Sequence, residues 1–108
     1  MIVAYSEFEE SDWKLFRKKL PDWQENYMAR LCESYSQLLQ SDELASNKFW
    51  ELEKRIRNDK RKTGVIATMK CSELIFNIVS LINEGAITIS DLDEFSDKLK
   101  DHVNRIIH

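Results

Sequence analysis

Trp50, Lys54, Arg57 and Arg61 follow one another at i, i+4, i+7 and i+11. That spacing lines them along one stripe of a helix. Lys60 adds a further cation beside them. From Lys54 to Lys62 the chain carries six basic residues against the single acid Asp59, a net +5, although the whole protein is net -3. The remaining residues are therefore net -8. A concentrated positive field can hold phosphates or an acidic protein surface even on an acidic chain. Trp and Arg are the residues that most often dominate protein interfaces, and cations interleaved with an aromatic also suit phosphates and unstacked bases. Three structural roles compete for the same residues. Trp50 can pack under the first segment, Lys54 can cover the Trp50 ring, and cations near a helix C-terminus complement its dipole.

Other chemistry finds little support. There is no Gly-x-Ser-x-Gly, and the two histidines, His102 and His108, both lie near the C-terminus. Cys32 and Cys71 stand far apart in apolar patterns and are expected to be reduced and buried. These four residues have no ligand-like spacing, and Gly64 and Gly85 are too isolated to form a phosphate-binding loop. No enzyme activity, metal or cofactor is expected. Gly85 to Leu92 resembles the second half of a calcium loop, with Asp91 as its acid. The first and third ligand positions would fall on Ser80 and Ile82, and isoleucine has no oxygen to donate. A helix stop, a short turn and a new N-cap at Ser90 is the favoured reading.

The 108 residues suffice for one domain, taken as residues 1–108, and are too few for two of ordinary size. With 2 Gly and 1 Pro, sharp turns are scarce, which favours helices over a many-turned β fold. No stretch is apolar enough for a membrane span or signal-peptide core, so a cytoplasmic protein is expected. Four breaks, at Leu20-Pro21-Asp22, Ser41-Asp42, Thr63-Gly64 and Gly85 to Ser90, divide the chain into five helical segments.

The first segment runs from Ser6 or Ser11 to Leu20, with Ser6 and Glu9 at capping-box spacing and an apolar stripe of Trp13, Phe16 and Leu20. The second, from Asp22 to Gln40, carries Trp23, Tyr27, Leu31, Tyr35, Leu38 and Leu39 on one broad face. The third, from Asp42 or Ser46 to Lys62, sets Phe49, Leu52 and Ile56 toward the core and the Trp50 stripe away from it. Glu51–Arg55 and Glu53–Arg57 on this segment are acid-first i,i+4 pairs, each contributing about 0.2–0.5 kcal/mol. The fourth, Val65 to Glu84, is apolar nearly all round, with Met69 and Phe76 opposite the Leu74–Ile82 cluster, and is expected at the centre. The fifth, from Ser90 to Ile106, has a narrow stripe of Leu92, Phe95, Leu99, Val103 and Ile106 on an otherwise acidic helix. The expected fold is all-α: a compact bundle of four main helices plus a short N-terminal one, the fourth segment central. Tyr5, Phe8 and the narrow fifth stripe leave monomer and homodimer both open.

Phe49-Trp50-Glu51-Leu52-Glu53-Lys54-Arg55-Ile56-Arg57, Asp59-Lys60-Arg61 and Gly64-Val65 resemble a segment of small helical proteins carried by Gram-positive bacteria, often on mobile elements. Leu81-Ile82-Asn83-Glu84-Gly85, Asp91-Leu92 and Phe95-Ser96-Asp97 are similar to the same group, so the resemblance spans about Trp13 to Val103. It brings no catalytic residues with it. It implies a bacterial cytoplasmic setting and an accessory or anti-defence role of the kind played by anti-CRISPR inhibitors. The function expected is a non-enzymatic binding module that regulates or inhibits a larger protein handling nucleic acid. It would dock through Trp50, Lys54, Arg57, Lys60 and Arg61, or through the acidic fifth segment. The alternative is direct nucleic-acid binding by the basic third segment, against which the net charge of -3 weighs.

Overall fold

The computed structural model describes residues 10–107, and within them the chain is all-helical. Four α-helices follow in order: α1 Glu10–Leu39, α2 Ala45–Asp59, α3 Leu74–Asn83 and α4 Asp97–Ile107. Short 3-10 turns at Cys71–Glu73 and Ile89–Leu92 lead toward α3 and α4. The expected Ser6–Glu9 capping box, Tyr5, Phe8 and His108 lie outside the described residues.

The separate short N-terminal helix is not observed. The first two expected segments are one helix of 30 residues that runs through Pro21. Proline removes one hydrogen bond and clashes with the preceding turn, which ordinarily stops or kinks a helix. Here Phe16, Leu20 and Tyr27 are all buried on the same side, before and after the proline. Pro21 and Arg17, whose carbonyl loses its donor, are exposed. Burial of the continuous stripe therefore outweighs a local defect that faces water.

The core gathers α3, α4 and the first half of α1. Phe16, Leu20, Leu74, Ile78, Leu81, Ile87, Leu92, Phe95, Leu99 and Val103 form one buried cluster. Rings bridge α1 to the turn before α4: Trp13 stacks on Phe16 at 6.0 Å, Phe16 meets Trp23 at 6.3 Å, and Trp23 stacks on Phe95 at 6.2 Å. The last buried position of the α4 stripe is Val103. Ile106 is exposed, and Ile107 packs against the core in its place.

The fourth and fifth segments are shorter than expected. Residues 66–70 are not helical. The buried Asn77 donates its side-chain amide to the Thr68 carbonyl at 2.8 Å and holds this stretch along α3. Phe76 stays 65% exposed, so α3 is packed on one side rather than all round. Gly85, at φ +79, ends α3. The Ala86 N–H returns to the Leu81 carbonyl and the Gly85 N–H to the Ile82 carbonyl, which is a Schellman stop. The next cap is Thr88, not Ser90: its N–H donates to Asp91 Oδ2 at 2.8 Å. With Glu84 and Asp91 both bound to backbone, the calcium-like segment is a helix stop followed by a capped turn. α4 starts only at Ser96, whose Oγ accepts the Leu99 N–H at 3.2 Å as an N-cap does.

The molecule is not compact. Its principal extents are 56 × 26 × 25 Å. The long dimension follows α1, whose 30 residues alone span about 45 Å. Beyond Tyr27, α1 leaves the core and pairs with α2 as a projecting two-helix arm.

Candidate functional site

The arm is closed by polar contacts at both ends. At its tip, Lys48 Nζ donates to the Leu39 carbonyl at 2.9 Å, capping the end of α1 with a cation. Near its base, the Tyr35 hydroxyl on α1 donates to Asp59 Oδ2 on α2. Burial, followed by the hydrogen bond and charge of Asp59, pushes the Tyr35 hydroxyl up from 10.0 to about 12. A folded value above the unfolded one means that the contribution of this contact is fully present below pH 10 and is lost as the pH rises toward 12. The absorbance titration of tyrosinate is therefore expected to extend to about pH 12, and Tyr35→Phe to remove that last limb. Loss of the limb without the substitution's help, in the folded wild type, would refute the contact.

The arm roots in the loop after α2. Glu84 accepts the Thr63 N–H at 2.9 Å and the Gly64 N–H at 3.0 Å, one on each carboxylate oxygen. Gln24 donates to the Thr63 carbonyl at 3.1 Å. Gly64 lies directly on the Tyr27 ring. Arg30 sits 5.5 Å over that ring and donates to the Ala86 carbonyl at 3.2 Å.

On this arm α2 buries none of its residues. That overturns the expectation that Phe49, Leu52 and Ile56 face the core: the core ends at the base of the arm, and α1 alone covers only one side of α2. Phe49 and Trp50 are 63% and 65% exposed and meet edge to face at 5.0 Å. Trp50 thus neither packs under the first segment nor carries a cation on its ring. Among the described residues the rings so covered are Trp13, by Arg17, and Tyr27, by Arg30.

The five site residues divide around α2. Trp50 and Lys54 border a groove of about 510 Å³ that reaches across to Leu38. Arg57 and Lys60 border a second, of about 380 Å³, with Phe49, Leu52 and Ile56. The helix ends at Asp59, three residues before the expected Lys62, so Lys60 is its C-cap and Arg61 lies in the following turn. The stripe therefore keeps its register only through Arg57. Both expected i,i+4 pairs form: Arg55 binds Glu51 at 2.9 Å, and Arg57 binds Glu53 through two nitrogens at 3.1 and 3.0 Å. Lys54, Lys60 and Arg61 are exposed and make no ion pair among the described residues.

The acidic fifth segment is a weaker surface. Glu94 is bound by Lys19 at 2.9 Å, which holds its carboxyl below the usual range, Asp97 lies 3.4 Å from Lys100, and Asp91 caps Thr88. Lys98 and Arg105 further interrupt the acidic face.

The cysteines are unpaired, as expected, but not buried. Cys32 is exposed on the arm and Cys71 half-buried at the start of a 3-10 turn. Partial burial pushes the Cys71 thiol up, away from the thiolate that a nucleophile needs. His102 is half-buried on α4. Among the described residues no three His, Cys, Asp or Glu side chains gather to hold a metal ion, and no helix is long and apolar enough to cross a membrane. The sequence patterns missed the arm itself; the signal available was the pairing of Phe49 with Trp50, which puts large apolar groups on adjacent sides of one helix. No family model, curated protein or solved structure matches this chain.

Proposed function

We propose that this protein is a non-enzymatic docking module that binds a larger, nucleic-acid-handling protein through the outer side of α2 and so regulates or inhibits it. The observation that carries this reading is Trp50, 65% exposed on a helix that folding leaves without a buried residue. Large exposed aromatics on a rigid element mark interaction surfaces. Lys54 and Arg61 add unpaired positive charge, so the surface offered is an apolar ring with a basic rim. That composition fits an acidic protein surface, and the dispersed, largely paired acids near α4 do not compete with it.

The test is a pull-down from nuclease-treated bacterial lysate with wild type, Trp50→Ala and Lys54→Glu. Wild type is expected to retain one discrete protein. Trp50→Ala is expected to weaken that complex about 30-fold, the effect of losing about 2 kcal/mol at a hot spot, with thermal stability unchanged because the ring packs little in the folded chain. Equal capture by Trp50→Ala would refute the reading. Capture that disappears with nuclease would make nucleic acid the direct ligand instead, with a steep fall in affinity as salt rises.

A further inference from the structure

The arm carries a second apolar surface, on the flank of α2 away from the Trp50–Lys54 groove. Met28 and Leu31 of α1, Ile56 of α2 and Val65 of the following loop line a crevice of about 340 Å³ there. Its neighbour, bordered by Phe49 and Leu52, shares Ile56 and Lys60 with it, so the two make one furrow along the side of the hairpin. A two-helix hairpin has no third layer with which to cover such a flank.

The charge pattern of the same helix indicates what covers it. Residues 42–53 hold four acids (Asp42, Glu43, Glu51, Glu53) and one base (Lys48), whereas residues 54–62 hold six bases and one acid. A partner of single sign matches one half of this surface and repels the other. A second copy turned end for end matches both, because acidic half then meets basic half across a two-fold axis. An antiparallel register that sets Glu53 against Lys60 of the other copy leaves Ile56 beside the axis, where apolar packing is needed.

We propose that two copies of this chain pair antiparallel through the Phe49–Leu52–Ile56 flank, so that their two arms close into a four-helix bundle. This pairing goes beyond the docking reading and uses the other side of α2. Trp50 and Lys54 remain outside it, so either proposal can fail without the other.

Sedimentation equilibrium of the full chain tests it. The expected mass is twice that of the chain at micromolar concentration. Ile56→Asp is expected to give a monomer with unchanged helical circular dichroism. Lys60→Glu is expected to weaken pairing at least tenfold, and Glu53→Lys in the same chain to restore it. Trp50→Ala is expected to stay dimeric. A monomeric wild type at millimolar concentration would overturn the proposal. So would a dimer that survives both Ile56→Asp and Lys60→Glu, or an assembly that grows without closing.

Discussion

Replacing Asp12 with alanine is expected to destabilise the protein by about 3 kcal/mol, the scale set by two hydrogen bonds to one charged group. Asp12 is only 2% exposed, although carboxylates are rarely buried without partners. Its partners lie 84 residues away: the Ser96 N–H at 2.9 Å and the Ser96 hydroxyl at 2.6 Å. Ser96 is at the same time the N-cap of α4, through the Leu99 N–H. The carboxylate therefore sits at the positive end of the α4 dipole and fastens the last helix to the first. Alanine would leave the Ser96 N–H without its acceptor in a half-buried site. Asp12→Asn keeps an acceptor for that N–H and is expected to cost less. Ser96→Ala added to Asp12→Ala is expected to add little, because both changes remove the same contact. Urea denaturation of the four proteins measures the coupling. Strictly additive losses would show that the two residues stabilise the fold separately.

Gly64→Ala is the second large effect. A β-carbon at residue 64 would lie 2.3 Å from Cδ2 of Tyr27 and 2.8 Å from two further ring atoms. The ring has little room to yield, since Tyr27 is buried in α1 with Arg30 over it. Nor can the loop retreat cheaply, since its two N–H groups are held by Glu84. Overpacking of this kind costs about 1–3 kcal/mol and sometimes more, and the upper end applies where neither side can move. In a domain of this size each kcal/mol lowers the melting temperature by roughly 4–8 °C. Because the strain is a contact between two named groups, Tyr27→Leu is expected to relieve part of it. The double variant should be more stable than the sum of the single losses predicts. If Gly64→Ala melts with wild type, the loop does not rest on Tyr27.

The Gly64 contact also sets where the arm leaves the body. The turn after α2 is held to α1 through Tyr27 and Gln24 and to the end of α3 through Glu84. Partner docking and self-pairing both use the arm, and both depend on this root.

By itself the sequence determined the helical class, the stop at Gly85, both acid-first pairs on α2 and most of the core positions from Trp13 to Val103. Each of these is local. A 3.6-residue apolar period, a glycine that tolerates positive φ and an i,i+4 spacing act within one or two turns of chain. The tertiary structure decided what local rules could not. Pro21 reads as a break, and burial on both sides of it carried the helix through. Asp12 and Glu84 read as solvated acids, and each meets its backbone partners only after segments 84 and about 20 residues away fold against it. The Phe49–Leu52–Ile56 stripe reads as a core face, since periodicity records which residues share a side of a helix and not whether another element lies there. In this molecule the core ends before α2 begins. That leaves the Phe49–Trp50 pair and the basic residues around it exposed to a partner.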